Sequence, residues 1–128
     1  MASACRGVRG ATTVEADLAQ GLEEAVGELL AEVLGANQAS TRDVAAVIFT
    51  VAEDLLGINP AAAARACGFE DVPLLVVREH GGDSRVSRCL RVLLLLNTQL
   101  RQDQVSHVYL GRARVLRPDL TPVGEERR

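Results

Sequence analysis

The stretch Cys89-Leu90-Arg91-Val92-Leu93-Leu94-Leu95-Leu96-Asn97 constrains this chain more than any other. It is the most apolar run present, and its length suits a strand buried on both faces. Side chains alternate along a strand, which sets Arg91 on the face of Leu93 and Leu95. A guanidinium on a covered face needs an anion, because an unpaired buried charge is costly. That anion is either a carboxylate of the chain itself or a ligand.

The rest of the sequence supplies partners for this strand. Cys5 to Val14 reads as a first strand, in which Gly7 and Gly10 bracket Arg9. Glycines in a strand mark a bulge or a close approach. Asp17, with Gln20 three residues on, is a helix start. Leu18, Leu22, Val26, Leu29, Leu30, Val33 and Leu34 then recur at helical spacing up to Gly35. The spacing predicts one amphipathic helix, with Glu23, Glu24, Glu28 and Glu32 on its solvated side.

Val44 to Val51 is a second apolar strand. Asn59-Pro60 opens a short Ala-rich helix that carries Arg65 and stops at Gly68. Val72 to Arg78 is a third strand, with Pro73 placing its start at an edge, and Glu79 follows it directly. Beyond the Arg91 strand, Asp103-Gln104 opens a helical turn. His107 to Leu110 and Ala113 to Leu116 read as extended pieces. Residues 1–120 form one domain, and 121–128 read as a mobile tail.

This order gives an α/β (α+β) fold: a single mixed sheet packed with one long helix and short helices. One long helix covers only one face of such a sheet. The strands are nevertheless apolar on both faces, so the second face is expected to lie against further copies of the chain.

Composition removes several functions. The 128 residues carry a net charge of −3 and only three aromatics, Phe49, Phe69 and Tyr109. Nucleic acid binding wants a basic face or stacking aromatics. Cys5, Cys67 and Cys89 are odd in number and widely spaced, as expected of reduced thiols in the cytoplasm. With His80 and His107 they show no metal-ligand spacing. No apolar run is long enough to span a membrane. Nucleophile, phosphate-loop and dinucleotide motifs are also missing.

Charged residues that interrupt apolar stretches remain. Glu79 and Arg91 lie twelve residues apart, and a hairpin-like return would join them. The result is either an internal salt bridge or two groups of a site for an anionic ligand. Arg9, Arg65 and Arg117 would enlarge such a site if they converge. An enzyme built from these parts works by positioning and fixed charge.

Several blocks together resemble a known family. Arg6-Gly7-Val8-Arg9-Gly10-Ala11-Thr12-Thr13 is similar to the opening signature of the monofunctional chorismate mutases of the trimeric α/β type, the AroH class. Asp54-Leu55 with Pro60-Ala61 and Arg65, Val72-Pro73 through Glu79, and Cys89-Leu90-Arg91-Val92 follow in register. His107-Val108-Tyr109-Leu110 and Val115 to Leu120 match the ending.

The resemblance implies a homotrimeric pseudo-barrel, chorismate-mutase-like, with active sites between subunits. The reaction implied is the Claisen rearrangement of chorismate to prephenate, on the route to phenylalanine and tyrosine, with no cofactor and no metal. By motif position, Arg91 resembles the arginine at the ether oxygen, and Glu79 the carboxylate at the ring hydroxyl. Arg9 and Tyr109 resemble the holders of the side-chain carboxylate. Leu75, Val76, Val77 and Arg78 resemble the strand lining the pocket, and Arg65 and Arg117 arginines at its mouth. Asn59, Ala62, Val76 and the 82–87 loop depart from the family pattern. A non-catalytic trimeric binder of small anions on the same fold is the alternative.

Overall fold

The computed structural model describes residues 2–15, 18–55, 57–80 and 86–118. The expected Asp17 cap, the 81–85 part of the loop and the 121–128 tail lie outside these residues. The elements are β1 (Ala4–Thr13), α1 (Leu18–Ala36), β2 (Val44–Val51), α2 (Pro60–Ala66), β3 (Leu74–Arg78), β4 (Cys89–Thr98) and β5 (Val108–Tyr109). Single turns of 3-10 helix occupy Thr41–Asp43, Glu53–Leu55 and Gln102–Gln104, and a longer one Gly111–Leu116.

The strands form one sheet in the order β3-β2-β4-β1-β5. The Arg91 strand, β4, is its centre and runs antiparallel to both neighbours. β3 joins β2 in parallel through the α2 crossover, and β5 joins β1 in parallel. Glu79 and Arg91 therefore do not meet through a hairpin. β2 lies between their strands: the α2 crossover sets β3 parallel on one edge of β2, and β4 pairs antiparallel on the other. Pro73 immediately precedes β3, an edge strand where its missing N–H costs no ladder bond.

Both helices cover the same face. Leu22, Val26, Leu29, Leu30 and Val33 of α1 pack with Val8, Val47, Phe49, Val92, Leu94 and Leu96 of the sheet, and Ala63 and Ala64 of α2 join them. Each fully buried Leu contributes roughly 1.5–3 kcal/mol relative to an exposed one. The other face of β4 is only half covered, with Leu93 39% exposed. Within one chain, the expectation of a strand buried on both faces holds for the helix side alone.

Two ends differ from expectation. α1 runs past Gly35 and stops where Gln38 takes φ 54°. There Gln38 N–H donates to Gly35 O and Ala39 N–H to Leu34 O, a left-handed cap formed without glycine. Asn37 secures it: its Nδ2 donates to Val33 O and Ser106 O, and its Oδ1 accepts from Ser106 N–H. Ala113 to Leu116 is a 3-10 helix and not extended, since Gly111 at φ 58° turns the chain after β5. The α2 start follows expectation, with Asn59 capping Ala62 N–H and Pro60 in the first turn. No helix among the described residues is long and apolar enough to cross a membrane.

Candidate active site

Strand register builds a row of side chains across the open face. Val77 pairs with Thr50, Thr50 with Arg91, Arg91 with Ala11, and Ala11 with Tyr109. Cross-strand partners share a face, so these five residues from five strands point the same way. In the next row Leu75 pairs with Ile48, Ile48 with Leu93, and Leu93 with Arg9. Adjacent strands lie roughly 4.8 Å apart, so Arg91 and Tyr109 stand about 10 Å apart at their Cα atoms.

Glu79 enters from the end of β3, where its N–H donates to Val51 O at 2.8 Å and prolongs the parallel ladder. Thr50 Oγ1 donates to Glu79 Oε1 at 2.5 Å. Arg91 Nε lies 3.6 Å from the same oxygen, with side-chain exposures of 32% for Arg91 and 22% for Glu79. That separation is an ion pair and not a hydrogen bond. Among the described residues, the second oxygen of Glu79 and the terminal nitrogens of Arg91 form no hydrogen bond. Opposite charges stand together here without consuming each other's hydrogen-bonding capacity.

Cys89 shares this face and is buried. Burial pushes its thiol up, and Glu79 and Asp54 add to that while Arg91 opposes it. A thiol held protonated is a poor nucleophile.

The β5 end of the row carries a second group. Tyr109 packs in a small cluster with Ala11, Val86, Cys89 and Ala113. Its hydroxyl makes no hydrogen bond among the described residues. Arg9 is exposed, and its backbone N–H donates to His107 Nδ1 at 2.9 Å. Arg117 is half-buried at the end of the Gly111–Leu116 turn. Burial lowers the His107 pKa, and the charges of Arg9 and Arg117 lower it further. Both arginines thus bear on one imidazole.

A brace fixes the turn between Tyr109 and Arg117. Arg112 donates through Nε and Nη2 to the two oxygens of Glu15, at 3.1 and 3.3 Å. Thr13 Oγ1 donates to Glu15 Oε2 and accepts from Arg112 N–H. The Thr13 hydroxyl, then Arg112, hold the Glu15 carboxyl below its usual value.

The sequence expectations divide accordingly. Arg9, Glu79, Arg91, Tyr109, Leu75 and Val77 share the open face, and Arg117 adjoins it through His107. Val76 and Arg78 alternate to the helix side of β3, where Arg78 pairs with Glu53 at 3.0 Å. Arg65 is exposed on α2, also on the helix side. Thr50 and His107 were not among the expected site residues. Thr50 carried a signal of the same kind as Arg91, a polar side chain inside an aliphatic strand.

A sheet face carrying separate guanidinium groups, one braced carboxylate and a phenol suits electrostatic handling of an anionic ligand. The comparisons name that class. The chorismate mutase type I family model matches residues 5–120, and the chain belongs to this family. It is similar to chorismate mutase AroH of Thermus thermophilus, at 51% identity over 116 residues, covering 90% of this chain and 95% of that protein. Chorismate mutase AroH of Bacillus subtilis is 36% identical over 117 residues, covering 91% and 92%. A solved chorismate mutase from Clostridium thermocellum superposes with a TM-score of 0.79 at 34% identity, covering 85% of this chain and 97% of that one.

Proposed function

We infer that this chain isomerises chorismate to prephenate, with Arg91, Glu79 and Arg9 as catalytic groups and Tyr109 and Arg117 as substrate holders. The observation that carries this reading is the braced, incomplete Arg91–Glu79 pair at 3.6 Å. The rearrangement moves electron pairs within one molecule: one C–O bond breaks, one C–C bond forms, and nothing is transferred to the protein. It needs the substrate folded and its developing charge met, without acid, base, nucleophile, metal or cofactor.

The free end of the Arg91 guanidinium serves the ether oxygen, where negative charge grows as the bond breaks. Glu79, held by Thr50, accepts from the ring hydroxyl and faces the electron-poor ring. Arg9 and Tyr109 take the side-chain carboxylate, with Arg117 closing beside them. One charge-assisted hydrogen bond is worth roughly 1.5–3 kcal/mol. A few made mainly to the transition state, with the restriction of substrate conformation, reach about 8 kcal/mol, the lower end of enzymatic acceleration.

The open face also supports a homotrimer with sites between subunits. Leu75 at 57%, Val77 at 38% and Leu93 at 39% exposure form an apolar surface around the charged row. Leu75, Val76 and Arg78 on the β3 edge, with Arg65, would line a neighbour's site. A solution mass three times the 13.6 kDa of one chain supports this assembly, and a monomer of that mass counts against it. Exposed Cys5 and Cys67 and buried Cys89, all unpaired, fit the reducing cytoplasm.

The experiment is conversion of chorismate by purified protein, followed as loss of the diene absorbance. A rate above the spontaneous reaction supports the assignment. Binding of chorismate without turnover returns the chain to a small-anion binder of the same fold.

A further inference from the structure

The β1 backbone that carries Arg9 is held differently on its two sides. Against β4 all ten residues of β1 pair with strand. On the opposite edge β5 is only two residues long and meets β1 at Gly10 and Ala11. The outward groups before that point have no strand opposite them. Unpaired edge groups cost stability and leave register loose.

Two side chains stand in for the missing strand. The Gln102 amide reproduces a peptide group: Nε2 donates to Gly7 O at 2.7 Å, and Oε1 accepts from Gly7 N–H at 2.9 Å. One outward residue further on, His107 Nδ1 accepts from Arg9 N–H at 2.9 Å. The ladder then passes to backbone, with Leu110 N–H donating to Ala11 O at 2.8 Å. Arg9 is therefore the last residue before strand pairing begins, and its own N–H is held by an imidazole.

We propose that His107 and Gln102 are positioning residues for Arg9, their side chains completing the edge of β1 and fixing the backbone from which the Arg9 guanidinium reaches the substrate. This rests on the chorismate mutase reading, in which Arg9 holds the substrate side-chain carboxylate.

The role requires neutral His107. An imidazole accepts at Nδ1 only when its proton sits on Nε2, and imidazolium has no acceptor. The surroundings favour the neutral ring. Burial disfavours the cation, and the charges bearing on the ring are Arg9 from β1 and Arg117 from the segment after Gly111–Leu116. The end of α1 packed on the same loop contributes uncharged Asn37, bonded to Ser106. Gln102, from the preceding turn, is also uncharged. Acid that protonates His107 breaks the bond at Arg9 N–H and adds a third positive charge there.

The test uses the full chain and two variants, with chorismate as probe. His107→Ala removes the acceptor and should raise KM about tenfold with kcat changed far less, the scale of one lost hydrogen bond that orients a charged group. His107→Asn offers a neutral carbonyl at a similar reach and should recover most of that loss. In the wild type, KM should rise on acidification below the ordinary histidine value of 6.5, and His107→Asn should lack that rise. Independently of turnover, amide exchange at Arg9 should quicken in His107→Ala and slow again in His107→Asn. If wild-type protein does not convert chorismate, the functional reading fails, and Arg9 amide exchange still decides whether His107 fixes β1. Unchanged KM and Arg9 exchange in folded His107→Ala, or the same acid response in His107→Asn, overturns the proposal.

Discussion

Replacing Thr50 with valine isolates the role of the brace on Glu79. The substitution keeps a β-branched side chain of nearly the same volume in β2, so strand propensity is preserved. It removes the hydroxyl that donates to Glu79 Oε1 at 2.5 Å. The carboxylate is then free to close on Arg91 Nε from 3.6 Å. Tightening that pair to about 2.8 Å gains roughly 1 kcal/mol of attraction at an effective dielectric of about 20. The gain belongs to the ground state, because a guanidinium drawn tightly onto Glu79 is less free to turn its terminal nitrogens to the ether oxygen. Loss of the orienting bond adds a similar amount, the lower range for a hydrogen bond to a charged group. Together these predict a fall in kcat of about ten- to a hundredfold. The assay is the initial rate at saturating chorismate, with thermal unfolding as a check on folding. Thr50→Ser, which restores the hydroxyl, should recover most of the rate. A folded Thr50→Val enzyme with kcat within threefold of wild type refutes the reasoning.

Three further outcomes concern the frame around the site. Asn37→Ala leaves Ser106 N–H and two carbonyls without their partner; denaturant unfolding should show a loss of about 2 kcal/mol or more. Leu94→Ala empties a fully buried position in the central strand and should cost about 2–5 kcal/mol in the same measurement. Glu15 has a folded pKa lowered from 4.5, so its contribution to stability is complete above that value and disappears as pH falls through the lower folded value. The pair with Arg112 is largely exposed, which keeps the effect small. Thermal melts of wild type and Glu15→Gln should differ at neutral pH and converge in acid.

Local pattern made much of the fold readable. β2 runs from Val44 to Val51 as its apolar run suggests, and the Arg91 strand begins at Cys89. The core stripe of α1 follows directly from helical spacing. The misread parts depend on information that sequence spacing does not carry. A short alternating piece such as Ala113 to Leu116 fits a strand or a tight helix equally, and the left-handed Gly111 decides it. Glu79 and Arg91 meet because β2 is parallel to one strand and antiparallel to the other, a long-range choice no local signal sets. That pairing also brings Thr50 to Glu79, and the separate β1–β5 pairing brings His107 to Arg9, so neither contact could be read from local spacing. Arg91 itself was legible, because a charge inside an aliphatic run demands a partner, whereas the weaker signal of Thr50 is a hydroxyl that a strand accommodates readily.

The central claim is that Arg91 stabilises charge appearing only as the ether bond breaks. Arg91→Lys keeps the charge and loses the planar fork beyond Nε. Measured against wild type at saturating chorismate, kcat should drop by at least about a hundredfold, the scale of one lost transition-state donor. A folded Arg91→Lys protein that turns over at the wild-type rate contradicts the account.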